Sequence, residues 1–149
     1  MPKNEGQKSK ILHLARLLHT RTDEEHPMPM AEILRILKEE YGIAAERKSI
    51  YSDISALREF GMDIEAVKGG KYKLLSRQFD FEDIRLLAQC VYATKFIAEE
   101  KAQELIETLG NFCSEPQREE LESEVFLCDR VKTTQQNILL SICRINYAM

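Results

Sequence analysis

Tryptophan is absent from these 149 residues, and glycine (six), proline (four) and cysteine (four) are all sparse. A chain with so few breakers is neither a low-complexity linker nor a collagen-like repeat. No apolar run reaches the roughly 18 residues of a bilayer span, and the opening MPKNEGQKSK has no apolar signal-peptide core. No membrane partner is expected, and the reading is a cytoplasmic protein. Cys90, Cys113, Cys128 and Cys143 form no CxxC and have no histidine at ligand spacing. Buried free thiols are therefore expected rather than a zinc site. His13, His19 and His26 include no pair four residues apart, the spacing of two ligands on one helix face. Glycine-rich phosphate loops, GxSxG and HExxH are all missing. The pairs Glu99-Glu100 and Glu119-Glu120 read as solvated surface rather than as an acid and its base. No catalytic residue, metal or cofactor is expected, and the chain is read as a non-enzyme.

What is present supports a real core: 44% of residues are hydrophobic and 31% charged. The formal net charge is −4, but it is unevenly spread. Residues 1–78 carry 14 Lys and Arg against 12 Asp and Glu, whereas residues 79–149 carry 7 against 13. Two parts with different partners are implied.

In the first part, Ile11, Leu14, Ala15 and Leu18 recur at helical spacing from Lys8 to about Thr20. The polar stretch Arg21 to His26 is a connector. Pro29 suits the first turn of a second helix, with Met30, Ile33, Leu34, Leu37 and Tyr41 as its apolar stripe and Gly42 as its stop. A short turn to about Glu46 leads to a third helix, striped by Ile50, Ile54 and Leu57, with Phe60 near the same side and Gly61 at its end. The period then changes from 3.6 to 2. Met62, Ile64 and Ala66 alternate with charged residues, Tyr72 and Leu74 alternate with lysines, and Lys68-Gly69-Gly70 lies between. This predicts a two-stranded hairpin. Three helices followed by a basic hairpin form the winged helix-turn-helix pattern, here assigned to residues 8–78.

Residues 79–149 read as all-helical, a linker and dimerisation region. Asp80 and Asp83 approximate a capping box ahead of Ile84, Leu87, Ala88, Val91 and Tyr92. Ala102, Leu105, Ile106 and Leu109 stripe the next helix, which ends near Gly110. Ser114 and Gln117 form a second capping box for a short helix through Leu121. Thr133 and Gln136 cap a last helix whose Ile138, Leu139, Leu140, Ile142, Cys143, Ile145 and Tyr147 cover most of its circumference. A helix apolar nearly all round needs cover on several sides, and a second copy of the chain is the expected cover. The fold class is thus mainly α with a small β-hairpin.

If Ile50, Ile54 and Leu57 face the core, Lys48, Ser52 and Ser55 face outward, flanked by Arg47, Ser49, Tyr51 and Arg58. Lysine can donate to guanine O6 and N7, serine is an adaptable donor or acceptor, and Arg and Tyr can hold phosphates. Lys48, Ser49, Ser52 and Ser55 are the candidate groove residues, and Arg47, Tyr51 and Arg58 the candidate backbone contacts. Residues 66–78 hold Lys68, Lys71, Lys73 and Arg77 without an acidic residue. Lys68, Lys71 and Lys73 are candidate contacts along the phosphate backbone or minor groove.

The run Arg47-Lys48-Ser49-Ile50-Tyr51-Ser52-Asp53-Ile54-Ser55-Ala56-Leu57, with Gly61, Ile64, Gly69-Gly70 and Tyr72-Lys73-Leu74, resembles the recognition-helix motif of DeoR-type winged helix regulators. The stretches Phe79 to Leu87, Lys95-Phe96-Ile97 and Asp129 to Thr133 look like the helical linker of bacterial WYL-domain transcriptional regulators. The resemblance covers the chain from about Ser9. It implies a DNA-binding regulator. It departs from the pattern at Ser52, where arginine is usual, and no Trp-Tyr-Leu signature occurs. The sequence is then either a piece of a longer regulator or a short member without the sensor, and no effector ligand is expected within it. The expected function is sequence-specific binding of double-stranded DNA by a homodimer joined through its C-terminal helices. The alternative is a protein-interaction module that uses the winged helix as a scaffold.

Overall fold

A computed structural model describes residues 5–125 of the chain. The molecule is mainly helical, with a small three-stranded antiparallel sheet. It divides into two compact units between Arg77 and Gln78.

The first unit runs α1 (Glu5–Arg21), β1 (Met28–Pro29), α2 (Met30–Glu39), α3 (Arg47–Phe60), β2 (Ile64–Val67) and β3 (Lys71–Leu74). Its core takes Leu14, Leu17 and Leu18 from α1, Ile33, Ile36 and Leu37 from α2, and Ile50, Ile54 and Leu57 from α3. Ile64 and Leu74 close it from the sheet, where they pair directly across β2 and β3. α3 ends as its sequence suggests. Gly61 adopts a left-handed conformation at φ +109°, and its N–H reaches the carbonyls of Leu57 and Arg58. A side chain there would have open space around it but would be strained by the left-handed backbone itself.

The two-stranded hairpin expected from the sequence is a three-stranded sheet, in the order β1-β3-β2. Met28 pairs with Tyr72 and Pro29 with Lys71. A two-residue strand containing proline carries no periodic signal. At a sheet edge the missing proline N–H leaves no ladder bond broken. Pro29 is also the residue that precedes α2. Tyr41 lies beyond the end of α2, packs on the core and stacks against His13 with ring centroids 4.3 Å apart. Phe60 departs from expectation. It is 86% exposed, although Leu57 three residues earlier is still buried in the core. Ala66, on β2 towards the tip of the hairpin, is exposed as well.

The polar connector after α1 is firmly held. Thr22 is fully buried. Its hydroxyl donates to the Leu18 carbonyl at 2.6 Å and accepts the Leu74 N–H at 3.1 Å, so one side chain ties the end of α1 to β3. Asp23 accepts the N–H groups of Glu25 and His26, both at 2.9 Å, and shapes the turn into β1. Arg21 binds Glu40 through two hydrogen bonds of 3.0 and 3.1 Å, joining α1 to the end of α2.

The second unit contains α4 (Phe81–Ala93), α5 (Glu99–Gly110) and α6 (Glu115–Val125). Ile84, Ala88, Ile106, Cys113 and Leu121 form its core, with Phe81, Val91, Tyr92, Leu109 and Phe112 packed around them. Phe79 meets Phe112 edge-on at 5.5 Å. The capping box of α6 forms: Gln117 Oε1 accepts the Ser114 N–H at 3.2 Å and Ser114 Oγ accepts the Gln117 N–H at 3.3 Å. The box expected at α4 does not, since Asp80 makes no side-chain cap bond. Leu87, expected on the inner stripe, is 41% exposed. Cys90, expected to be buried, is exposed, whereas Cys113 is buried. Leu87 and Cys90 lie on the outer face of α4, whose inner stripe, Ile84, Ala88 and Val91, is narrower than the sequence suggests. The helix expected to carry Ile138 to Tyr147, together with Cys128 and Cys143, lies outside the described residues.

Candidate nucleic-acid interface

Three of the candidate residues on α3 are exposed near its start: Arg47, Lys48 and Ser52. Ser55 follows one turn later on the same exposed side. No acidic residue occupies the first turn of α3. Neither Arg47 nor Lys48 is held by a hydrogen bond or ion pair among the described residues. This half of the helix is a polar, cationic surface with free donors.

Two α3 candidates are already occupied. Ser49 is half-buried and accepts a hydrogen bond from Lys10 Nζ. The same ammonium lies 2.9 Å from Asp53 Oδ2, with the two side chains only 8% and 18% exposed. Lys10 of α1 therefore grips α3 at two successive turns and fixes how that helix sits on the unit. Arg58 donates from Nε to the Ile64 carbonyl at 2.8 Å, fastening the end of α3 to the first residue of β2. Ser49 and Arg58 act first as fasteners in this arrangement.

The hairpin divides in the same way. Lys68 and Lys71 are exposed at and beside its turn, which Gly69 and Gly70 make at φ +89° and +68°. Lys73 is not free. Its ammonium donates to the Glu24 carbonyl at 2.9 Å and pairs with its cross-strand neighbour Glu65 at 3.2 Å. It binds the hairpin to the connector after α1.

Tyr51 and Tyr72 join helix to hairpin. Their rings are 6.4 Å apart, and Tyr51 remains 47% exposed. Burial raises the Tyr72 phenol above its ordinary pKa, the neighbouring Tyr51 adds to the rise, and Arg58 opposes it. The Tyr72 phenol thus stays a neutral hydrogen-bonding group at physiological pH. The exposed front of α3 and the basic hairpin thus meet through one aromatic contact.

Lys10 and Tyr72 are the residues that the reading of site candidates overlooked. Lys10 had a visible signal, a charged residue four positions before Leu14 on the buried stripe of α1. Its partner is 43 positions away, so only the fold names it. Among the described residues, no cluster of His, Cys, Asp or Glu has a geometry that could hold a metal ion. No helix among them is long and apolar enough to cross a membrane. Comparisons with protein-family models, with curated proteins and with solved structures found no significant match.

Proposed function

We propose that the first unit is a winged helix-turn-helix and that it binds double-stranded DNA. In this reading α3 enters the major groove, and the hairpin is the wing that follows the phosphate backbone or minor groove. The particular protein is then a transcriptional regulator of the WYL type, binding specific sites and acting without enzymatic chemistry. The observation that carries the reading is the contact of Tyr51 with Tyr72. It joins α3, which carries the unpaired Arg47 and Lys48, to the hairpin that carries the unpaired Lys68 and Lys71. Lys48, Ser52 and Ser55 read base edges. Arg47 and Tyr51 hold phosphates, and Lys68 and Lys71 hold them from the hairpin.

Titration of the chain with generic duplex DNA over a salt series tests this. Phosphate neutralisation requires affinity that falls steeply as salt rises. Replacing Lys48 and Ser52 with alanine should then reduce the preference for a selected site more than the affinity for random duplex, because base contacts discriminate by about 1–3 kcal/mol each. Absence of duplex binding at low salt would leave the unit as a protein-interaction scaffold. The small basic excess of residues 1–78 and the internal use of Arg58 and Lys73 favour that second reading.

A further inference from the structure

α4 carries an apolar stripe on its solvent side. Asp83, Leu86, Leu87 and Cys90 recur at the three- and four-residue spacing that lines one helix face. The opposite side holds the buried Ile84 and Ala88. Leu86 is 60% exposed and Leu87 41%, and Cys90 presents an accessible thiol. From Leu86 to Thr94 the sequence contains no charged residue. Opposite charges stand at the two ends of this stretch. Asp83 lies in the first turn and Lys95 just past the last, both exposed. Neither has an ion-pair partner among the described residues, whereas Glu82 is taken by Arg85 at 2.9 Å.

We propose that this face of α4 is a homodimer interface, on which two copies of the chain pair antiparallel about a two-fold axis at the level of Gln89. The charges select both the occupant and the direction. Antiparallel pairing sets Asp83 of each copy beside the partner's Lys95. Parallel pairing would oppose Asp83 to Asp83 and Lys95 to Lys95. A patch that complements itself after a two-fold rotation is the requirement of a closed symmetric dimer. The antiparallel helix dipoles favour the same direction, and Leu86, Leu87 and Cys90 supply the apolar seam. A 13-residue helix is only about 20 Å long. The contact is therefore small beside the roughly 1,200–2,000 Å² of a stable interface. Pairing is weak in free solution and strengthens when two DNA half-sites hold both copies together. That strengthening rests on the DNA-binding reading; the pairing itself does not.

Sedimentation equilibrium of the full chain without DNA is the test. A reversible monomer–dimer equilibrium is expected, and Leu86→Glu should raise its dissociation constant by about tenfold or more. Asp83→Lys and Lys95→Glu should each weaken pairing by roughly fivefold, and the double variant should return it to near the starting value. Circular dichroism confirms folding, and these positions are exposed in the monomer. A short bis-maleimide should cross-link the wild-type dimer and fail with Cys90→Ser. A chain that stays monomeric overturns the proposal, as does a dimer indifferent to Leu86→Glu or a charge swap without rescue. Protection of Cys90 from maleimide in a monomer also overturns it, because another segment of the same chain then covers the stripe. A dimer that ignores generic duplex DNA refutes the DNA reading and leaves this interface standing.

Discussion

The two units differ in how much of their apolar content they enclose. In the first, thirteen buried residues from all three helices and the sheet enclose one core, and the surface left over is mainly polar and partly cationic, apart from the exposed Leu12, Tyr51 and Phe60. In the second, five buried residues form the core among the described positions, while Leu86, Leu87 and Phe96 stay on the outside. A surface of hydrogen-bonding groups and free cations suits a hydrated, charged partner. A surface that keeps leucines in water suits a partner that removes them from it. One chain thus carries a unit with a large enclosed core and a unit whose described residues enclose a smaller one.

The largest test of this contrast is core truncation against surface truncation. Ile54→Ala should cost about 2–5 kcal/mol, since the side chain is enclosed between helices and the cavity cannot collapse fully. Leu86→Ala should change monomer stability by no more than about 0.5 kcal/mol. Urea unfolding at low protein concentration measures both. Equal losses would erase the distinction.

The next test concerns the fastening of α3. Lys10→Met leaves the largely enclosed Asp53 without its cation and should lower stability by about 1–3 kcal/mol. Adding Asp53→Leu should recover part of that loss, because the orphaned charge is then gone. Unfolding midpoints of the single and double variants decide it.

Within the hairpin, the lysines should separate into two kinds. Lys68→Gln and Lys71→Gln should each make the salt dependence of duplex binding shallower by about one unit of log–log slope, with stability unchanged. Lys73→Gln should leave that slope alone and cost about 0.5–1 kcal/mol of stability through its lost carbonyl and carboxylate partners. A common effect of all three would place Lys73 on the binding surface after all.

The smallest effect is a pH dependence of the first unit. Burial lowers the His19 pKa from its ordinary 6.5, and the nearby positive Arg77 lowers it further. The folded state therefore binds this proton less readily than the unfolded chain. Its contribution to stability is complete above pH 6.5 and declines as pH falls through the depressed folded value. His19→Gln should flatten the decline on the acidic side of neutrality, as followed by thermal unfolding at stepped pH. An unchanged profile would assign that acid sensitivity to other groups.

Much of this architecture was legible because helix periodicity is a local property. Ile50, Ile54 and Leu57 repeat at a spacing that only a helix can place on one side, and Gly61 ends that helix by its own backbone freedom. The Ser114 and Gln117 box was legible for the same reason, since its two partners are three residues apart. The strand β1 was not. Two residues make no period, and Met28-Pro29 is a strand only because β3 runs beside it. The candidate site divided along the same line. That Lys48 and Ser52 face outward follows from rotation about a helix. That Arg58, Ser49 and Lys73 are engaged follows from the positions of Ile64, Lys10 and Glu24.

By itself the sequence determined which segments are helical, where a glycine turn reverses the chain, and which face of α3 is polar. These depend on residues within one or two turns of each other, whose geometry is set by bond rotation and solvent. Tertiary structure alone decided which cations are free. Lys68, Lys71 and Lys73 are chemically the same side chain a few residues apart, and the cross-strand Glu65 together with the long-range approach of Glu24 takes Lys73 out of solvent. It also decided that Leu87 and Cys90 face outward, because an apolar residue is buried only where another element arrives to cover it.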